Sequence, residues 1–174
     1  MTAWVVRAGK HGEDEQLALD QDLVCIRWEI PYDLSKVSDK NDLRNLCEQE
    51  PYGQDASEGR LNISTTQLNS FINRIQTGDI IILPRKNTLK TSRTIAVGRA
   101  GRYEFRENLR ALEDDFQLYQ TRHVKWLIKE LPRSEMDEDT LRSINGLQTV
   151  FRINRDAEDC IKSAMKKRNL LIGQ

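Results

Sequence analysis

An uninterrupted apolar segment lies near the middle of the chain, where residues 80–83 read IIIL and Pro84 follows at once. A short apolar run without polar alternation is typical of a strand buried in a sheet. Proline cannot donate a hydrogen bond to a neighbouring strand, so we expect the strand to end there. The Gly78-Asp79 pair before it predicts a turn. We therefore expect a fold built on a sheet that contains this strand.

Apolar periodicity and turn residues predict the other strands and helices. Strands are predicted at residues 3–7, 22–30, 93–99, 101–106, 123–130 and 149–153, the third and fourth of these meeting at a glycine. Helices are predicted at residues 13–20, 40–48, 65–75, 139–144 and 156–170. The third helix has Ser64 or Thr65 as its expected N-cap. Because regular βαβ alternation is missing, we predict an α+β domain: a small barrel-like sheet of about six strands with peripheral helices.

Length and composition indicate one soluble domain. The chain has 174 residues, which suits a single core, and it contains no apolar run long enough to cross a membrane. Its first residues lack the pattern of a signal peptide, so we expect a cytoplasmic protein. Cys25, Cys47 and Cys160 are odd in number and form no metal-binding spacing, and we expect them to be small core residues.

Charge is balanced in total but uneven along the chain. There are 27 basic and 27 acidic residues, and this neutrality argues against a protein that coats nucleic acid by bulk electrostatics. Residues 13–22 carry five acids and no Lys or Arg, which predicts a solvated acidic segment. Residues 85–110 carry eight basic residues and two acidic ones. This stretch predicts either a face for an anionic partner or simply the solvated side of exposed strands.

The sequence carries no pattern of a catalytic site. Neither His11 nor His123 lies near a G-x-S-x-G motif, and the GKHGED segment lacks the GK[ST] ending of a phosphate loop. Asp79 and Lys86 could belong to a nuclease, but Pro84 occupies the position of the second metal-binding carboxylate. We therefore interpret Asp79 as a turn residue and expect no metal, no cofactor and no catalysis by this chain.

Aromatic residues provide two candidates for base stacking. Trp4, Trp28 and Trp126 lie on predicted strands, where they either belong to the core or form the wall of a cleft that holds a flat base. Tyr103 follows Arg102 within the basic stretch and is the second candidate.

Seven short motifs occur in a fixed order along the chain. They are WVVRAGKHGEDE, IRWEIPYDLSK, GDIIILPRK, IAVGRAGRYEFR, HVKWL, LPRS and QTVFRI. Together they resemble the N-terminal domain of Mrr-like restriction endonucleases, from Ala3 to about Met165. This resemblance implies a PUA-like domain, the group that includes EVE and YTH modules, over residues 1–170 with a short tail at 171–174. In such relatives a PD-(D/E)xK nuclease domain follows, so the chain is either an isolated reader or the first part of a longer protein.

The resemblance implies that the chain recognises a modified base and does not cleave. The expected partners are methylated double-stranded DNA, with the base flipped into a pocket, and a restriction nuclease that the reader directs to its target. Matching positions imply base-pocket roles for Arg7, Ala8, Gly9, Glu13, Glu15, Trp28, Leu83 and Pro84. Matching positions likewise imply contacts to the nucleic-acid backbone for Arg85, Lys86, Lys90, Arg93, Arg102 and Arg122.

One segment departs from the pattern of these relatives, and two alternative functions stay open. Residues 62–71 keep Asn62, Gln67 and Phe71 of the N-W-x-G-Q-x-W-x-F stretch but neither tryptophan. We interpret this segment as core because its apolar residues keep helical spacing. The alternatives are a sensor domain that binds a nucleotide or another small signal, and a PUA-like protein that binds RNA.

Overall fold

The structure is a computed structural model that describes residues 1–50, 55–86 and 93–170. These residues form six strands and five helices. The strands are β1 (Ala3–Val6), β2 (Leu23–Ile26), β3 (Ile80–Pro84), β4 (Thr94–Phe105), β5 (Gln120–Pro132) and β6 (Val150–Arg152). The helices are α1 (Glu15–Asp20), α2 (Lys40–Gln49), α3 (Glu58–Asn69), α4 (Glu138–Ile144) and α5 (Arg155–Lys167). A π-helical turn (Ser70–Arg74) extends α3, and a 3₁₀ turn (Arg133–Glu135) follows β5.

All six strands join one mixed sheet in the order β2-β5-β4-β3-β1-β6. Only β1 and β3 pair in parallel. This arrangement confirms the α+β class and the number of strands. The expected barrel is not closed, because the end strands β2 and β6 do not pair with each other. Val24 of β2 and Val150 of β6 instead share an apolar cluster with Leu68 and Phe71, so helical side chains pack where a closing strand pair would lie.

Helices cover both faces of the sheet, which explains the unbroken apolar run of β3. Trp4 and Ile81 belong to the cluster on the α2 and α3 side, whereas Val5 and Ile82 belong to the cluster that includes residues of α4 and α5. Successive strand residues point to opposite faces, so a strand covered on both sides needs apolar residues at every position. The expectation of a buried strand at residues 80–83 is confirmed.

Two element boundaries differ from expectation for local reasons. The helix expected to begin near residue 65 begins at Glu58, where the hydroxyl of Ser57 accepts a hydrogen bond from the Arg60 backbone N–H at 3.3 Å. The strands expected on either side of a glycine are one strand, β4, with a register shift between Ala100 and Tyr103. Gly101 permits close approach of β5 there, since a Cβ atom would lie 2.9 Å from that of His123.

Candidate nucleic-acid interface

A cavity of about 470 Å³ opens between the two end strands of the sheet. Residues that follow β1, β2 and β3 form three of its sides, and the loop between α4 and β6 forms the fourth. Its lining residues are Arg7, Gly9, Lys10, Arg27, Trp28, Lys86, Leu147 and Thr149. Four of these eight residues are Arg or Lys and one is an aromatic residue, so the cavity combines cationic groups with one flat apolar surface. A concave site of this volume is large enough for a small planar ligand.

The loop after β1 turns sharply at Gly9, whose backbone φ of +81° lies in the left-handed region. Any side chain would be strained there. A Cβ atom would also lie within 2.1 Å of the Glu13 carboxylate, which accepts a hydrogen bond from the His11 backbone N–H at 2.7 Å. Gly9 therefore allows this loop to fold back and present its backbone to the cavity.

Two carboxylates of the acidic segment are buried, contrary to the expectation that the segment is solvated. Asp14 receives two hydrogen bonds from the Arg27 guanidinium at 2.7 and 2.8 Å. Glu15 accepts the Lys86 backbone N–H at 2.5 Å, and its other oxygen lies 3.5 Å from Nε of Arg85. A buried carboxylate needs such partners, and here they tie the loops after β1, β2 and β3 to each other.

Arg27 lines the cavity, but carboxylates offset its charge. Its guanidinium bonds Asp14 and also Asp114, at 2.6 Å, and it lies over the ring of Phe116. The hydrogen bonds that Arg27 donates to Asp14 outweigh partial burial and raise the pKa of Arg27 above its ordinary value. Arg27 therefore ties the residues after β2 to the loop after β1, and its charge is largely neutralised there.

A second depression of about 620 Å³ adjoins the cavity and shares Arg7 and Lys86 with it. We call it the cationic groove. Its lining residues are Arg7, Pro84, Arg85, Lys86, Arg93, Arg133 and Asn145. Five of these seven side chains are Arg or Lys, which is the composition expected of a surface that binds phosphate groups.

Several cations of the groove have no carboxylate partner within the described ranges. The Arg7 side chain donates to the backbone oxygens of Gly146 and Gln148, and Arg133 donates to the side-chain oxygen of Asn145. Burial lowers the pKa of Arg7 and of Arg133, and the charges of Arg93 and Arg7 lower that of Arg133 further. Cations that lie close together repel each other, so the binding of an anion among them is electrostatically favourable.

Arg85 and Lys86 differ from the other cations of the groove. Arg85 is paired with Glu15 and lies 3.4 Å from the Glu130 carboxylate. The Lys86 ammonium contacts the backbone oxygen of Lys10, a neutral partner that leaves its charge available at the junction of the cavity and the groove.

Only Trp28, of the aromatic candidates, lines the cavity. Trp4 is buried and donates to the Asp79 carboxylate at 3.1 Å, and Trp126 donates to the Ala18 backbone oxygen. The Tyr103 hydroxyl lies between the Leu34 N–H and the Gln120 side chain, and burial raises its pKa to about 12. Tyr103 is thus a packing residue, contrary to the stacking role considered for it.

The structure separates the expected pocket residues into four groups. Arg7, Gly9 and Trp28 come together around the cavity, and Pro84 lines the groove. Glu13 and Glu15 do not line the cavity but stabilise the loop after β1: Glu13 accepts the His11 backbone N–H and Glu15 accepts that of Lys86. Ala8 and Leu83 are buried in a small apolar cluster with Ala18 and Leu19 of α1, so they do not line the cavity.

The residues expected to contact the nucleic-acid backbone also lie in different parts of the structure. Arg85, Lys86 and Arg93 line the groove, and Lys90 lies outside the described residues. Arg102 is exposed but lies eight residues along β4 from Thr94, roughly 26 Å away at the usual strand rise.

Arg122 is 3% exposed, so the expectation of a phosphate contact is wrong for this residue. Its guanidinium donates to the backbone oxygens of Gly101, Phe71 and Ile72, and burial lowers its pKa to about 10. It fixes the π-helical turn, through Phe71 and Ile72, against strand β4 at Gly101.

Sequence reasoning missed six residues of the site. Four of them lie within the ordered motifs, so the motifs did contain a signal for them: Lys10, Arg27 and Thr149 of the cavity and Arg133 of the groove. Leu147 and Asn145 lie between the motifs, and nothing in the sequence marks them. The tryptophan-free segment behaves as interpreted, since Leu68 and Phe71 are fully buried.

Two further features concern only the residues that the structure describes. Within them, no group of three or more His, Cys, Asp or Glu side chains is arranged to hold a metal ion. None of their helices is both long enough and apolar enough to cross a membrane.

Comparison with known proteins identifies a family. Residues 4–154 match the profile of a domain of unknown function, DUF8426. The chain belongs to this family. No curated protein matches the DUF8426 chain. The narrower resemblance to Mrr-like endonucleases stays a prediction.

Two solved structures are similar to this DUF8426 chain in overall arrangement. The Mmi1 YTH domain in complex with RNA is 8% identical and aligns over 97% of this chain and 80% of its own, with a TM-score of 0.48. A second crystal structure of the Mmi1 YTH domain is 11% identical and aligns over 97% of this chain and 100% of its own, with a TM-score of 0.43.

Proposed function

We propose that this DUF8426 chain reads a methylated base in double-stranded DNA, holding the base in the cavity and the adjoining phosphates in the cationic groove. The observation that carries the proposal is the direct junction of these two sites. Arg7 and Lys86 line both of them, so one ligand can place a planar apolar group on one side and anionic groups on the other. A nucleotide within a strand has this composition.

In this proposal the Trp28 ring is the surface on which the base stacks, and it also covers part of the methyl group. Stacking on an aromatic side chain such as Trp28 contributes about 1–3 kcal/mol per base. A buried methyl group adds about 0.8 kcal/mol, which corresponds to about a fourfold preference for the methylated base. These gains offset the few kcal/mol that are needed to unstack the base from a duplex.

The neutral total charge fits a reader of this kind. Acidic side chains elsewhere balance the groove, so long-range attraction to unmodified DNA is limited and the cavity contributes more of the discrimination. Within the proposal, cleavage belongs to a nuclease that the reader directs, as the resemblance to Mrr-like proteins implies. Cleavage of DNA by the purified chain in the presence of Mg²⁺ would contradict this assignment.

Binding measurements at one fixed salt concentration test the proposal. Duplexes with N6-methyladenine or 5-methylcytosine are compared with the unmodified duplex, with the matching single strands and RNA, and with free nucleotides. We expect at least about a fourfold preference for one of the methylated duplexes. The same preference for RNA or for a mononucleotide would assign the cavity to one of the alternative ligands. Equal, weak binding of all of them would overturn the proposal.

Replacement of the aromatic wall tests the cavity itself. We expect Trp28→Leu to weaken binding of the preferred duplex about tenfold, because the stacking surface is lost while the side chain stays apolar. Trp126→Leu is the matched control, since Trp126 is also half-buried but lies outside the cavity. An equal loss in both variants would indicate a general effect on folding and would contradict a stacking role for Trp28.

A further inference from the structure

Leu147 occupies an unusual position at the rim of the cavity. It is fully exposed, with a relative accessible surface of 101%, and no other large apolar residue in the described residues is as exposed. It lies in the loop between α4 and β6 and also lines the cavity. Covering an exposed apolar side chain lowers the free energy, so Leu147 is placed to contribute to the binding of a ligand that extends out of the cavity.

The loop that carries Leu147 is firmly held on both sides of this residue. The Arg7 guanidinium donates to the backbone oxygen of Gly146 at 2.5 Å and to that of Gln148 at 3.1 Å. Because these carbonyl groups flank Leu147 directly, a single side chain fixes the backbone before and after it. Leu147 is therefore exposed even though the backbone on both sides of it is held in place by hydrogen bonds.

Contacts farther along the loop support the same conclusion. The buried side-chain oxygen of Gln67 accepts the backbone N–H groups of Thr149 and Val150 at 2.6 and 3.0 Å. Gly146 lies against the ring of Phe151, and a Cβ atom there would be 2.9 Å from that ring. The loop thus presents one apolar side chain from an ordered backbone, at low entropic cost on binding.

We propose that Leu147 is a wedge that enters the base stack of the duplex beside the base held in the cavity. The inference rests on the proposed function and extends it by naming the residue that opens the duplex. Apolar side chains that insert between base steps separate them and stabilise the distorted duplex. Leu147 is placed for this step, because the base that leaves the stack enters the cavity that Leu147 borders.

The charges around the loop favour a nucleic acid as the occupant. Arg7 lies directly beneath Leu147, and Arg133 binds Asn145 two residues before it. The phosphates on either side of a wedged base step would meet these cations, and no carboxylate within the described ranges pairs with either of them.

Comparison of duplex and single-stranded ligands tests the wedge. A single strand has no partner strand to displace, so we expect Leu147→Ala to weaken binding of the methylated duplex about tenfold and binding of the matching single strand by less than about twofold. A 2-aminopurine next to the methylated base should fluoresce strongly with the wild-type protein, because it is unstacked, and weakly with the variant.

Leu112→Ala is the matched control, since Leu112 is 64% exposed and does not line the cavity or the groove. We expect it to bind both ligands as the wild type does. Equal losses on duplex and single strand, or unchanged duplex binding by Leu147→Ala, would overturn the wedge while leaving the reader intact. If the wild-type protein binds no duplex, the proposed function fails and the wedge fails with it.

Discussion

Arg93 gives the most direct test of the cationic groove, because its removal should change the salt dependence of binding without disturbing the fold. Its side chain is exposed and makes no hydrogen bond or ion pair within the described ranges. Arg93→Gln keeps the polarity and most of the length of the side chain and removes only the charge. We therefore expect an unchanged free energy of unfolding and a measurable change in DNA binding.

The magnitude follows from the release of counterions. Each cation that neutralises a phosphate of duplex DNA contributes about −0.9 to the slope of log K against log salt concentration. Contacts from Arg7, Lys86, Arg93 and Arg133 would together give a slope of about −3.6, or about a 150-fold loss of affinity between roughly 50 and 200 mM salt. Arg93→Gln should make the slope less steep by about 0.9 and reduce that loss by about 3.5-fold.

Fluorescence anisotropy titrations of a labelled duplex at several salt concentrations measure this slope. Arg102→Gln is the matched control, because Arg102 is also exposed and unpaired in the described residues but lies toward the other end of β4. We expect no change in slope for the control, and the same change for methylated and unmodified duplexes with Arg93→Gln. An unaltered slope with Arg93→Gln, or equal changes in both variants, would refute the assignment of phosphates to the groove.

Two further predictions concern stability. Arg122→Leu leaves three backbone carbonyl oxygens without their buried donor, so we expect a loss of about 3 kcal/mol in chemical denaturation; a loss below about 1 kcal/mol would contradict the structural role of Arg122. Burial, with the nearby charge of Glu29, raises the pKa of Glu50 from 4.5 to about 7. Because the native state then holds a proton that the unfolded chain has lost, stability falls as pH rises from 4.5 to 7. Glu50→Gln should lose less stability than the wild type between pH 4 and pH 8, and equal losses would contradict a raised pKa.

Local sequence determined most of the secondary structure. The IIIL run and Pro84 predicted β3 within one residue, and the apolar spacing of residues 40–48 predicted α2 equally well. These elements depend on periodicity and on terminating residues, which are local properties. The start of α3 was misplaced because the capping Ser57 lies in a polar stretch that resembles a loop.

The burial of charged residues could not be predicted from composition. Asp14 and Glu15 resemble solvated acids in the sequence, and Arg122 resembles part of a basic stretch. Each is buried because partners distant in the sequence satisfy it: Arg27 for Asp14, the Lys86 N–H for Glu15, and backbone carbonyl groups for Arg122. A charged side chain remains buried only where such partners converge, and that depends on the topology.

The sequence by itself determined the order of the strands and helices, the loop after β1 and the aromatic residue after β2. Only the tertiary structure decided which cations form the groove and that Leu147 stands at the cavity rim. The contact of Arg7 with Gly146 joins residues 139 positions apart, and Lys86 contacts Lys10 across 76 positions. Periodicity and propensity act over a few residues, whereas contacts of this kind exist only after β1, β3 and β6 have paired.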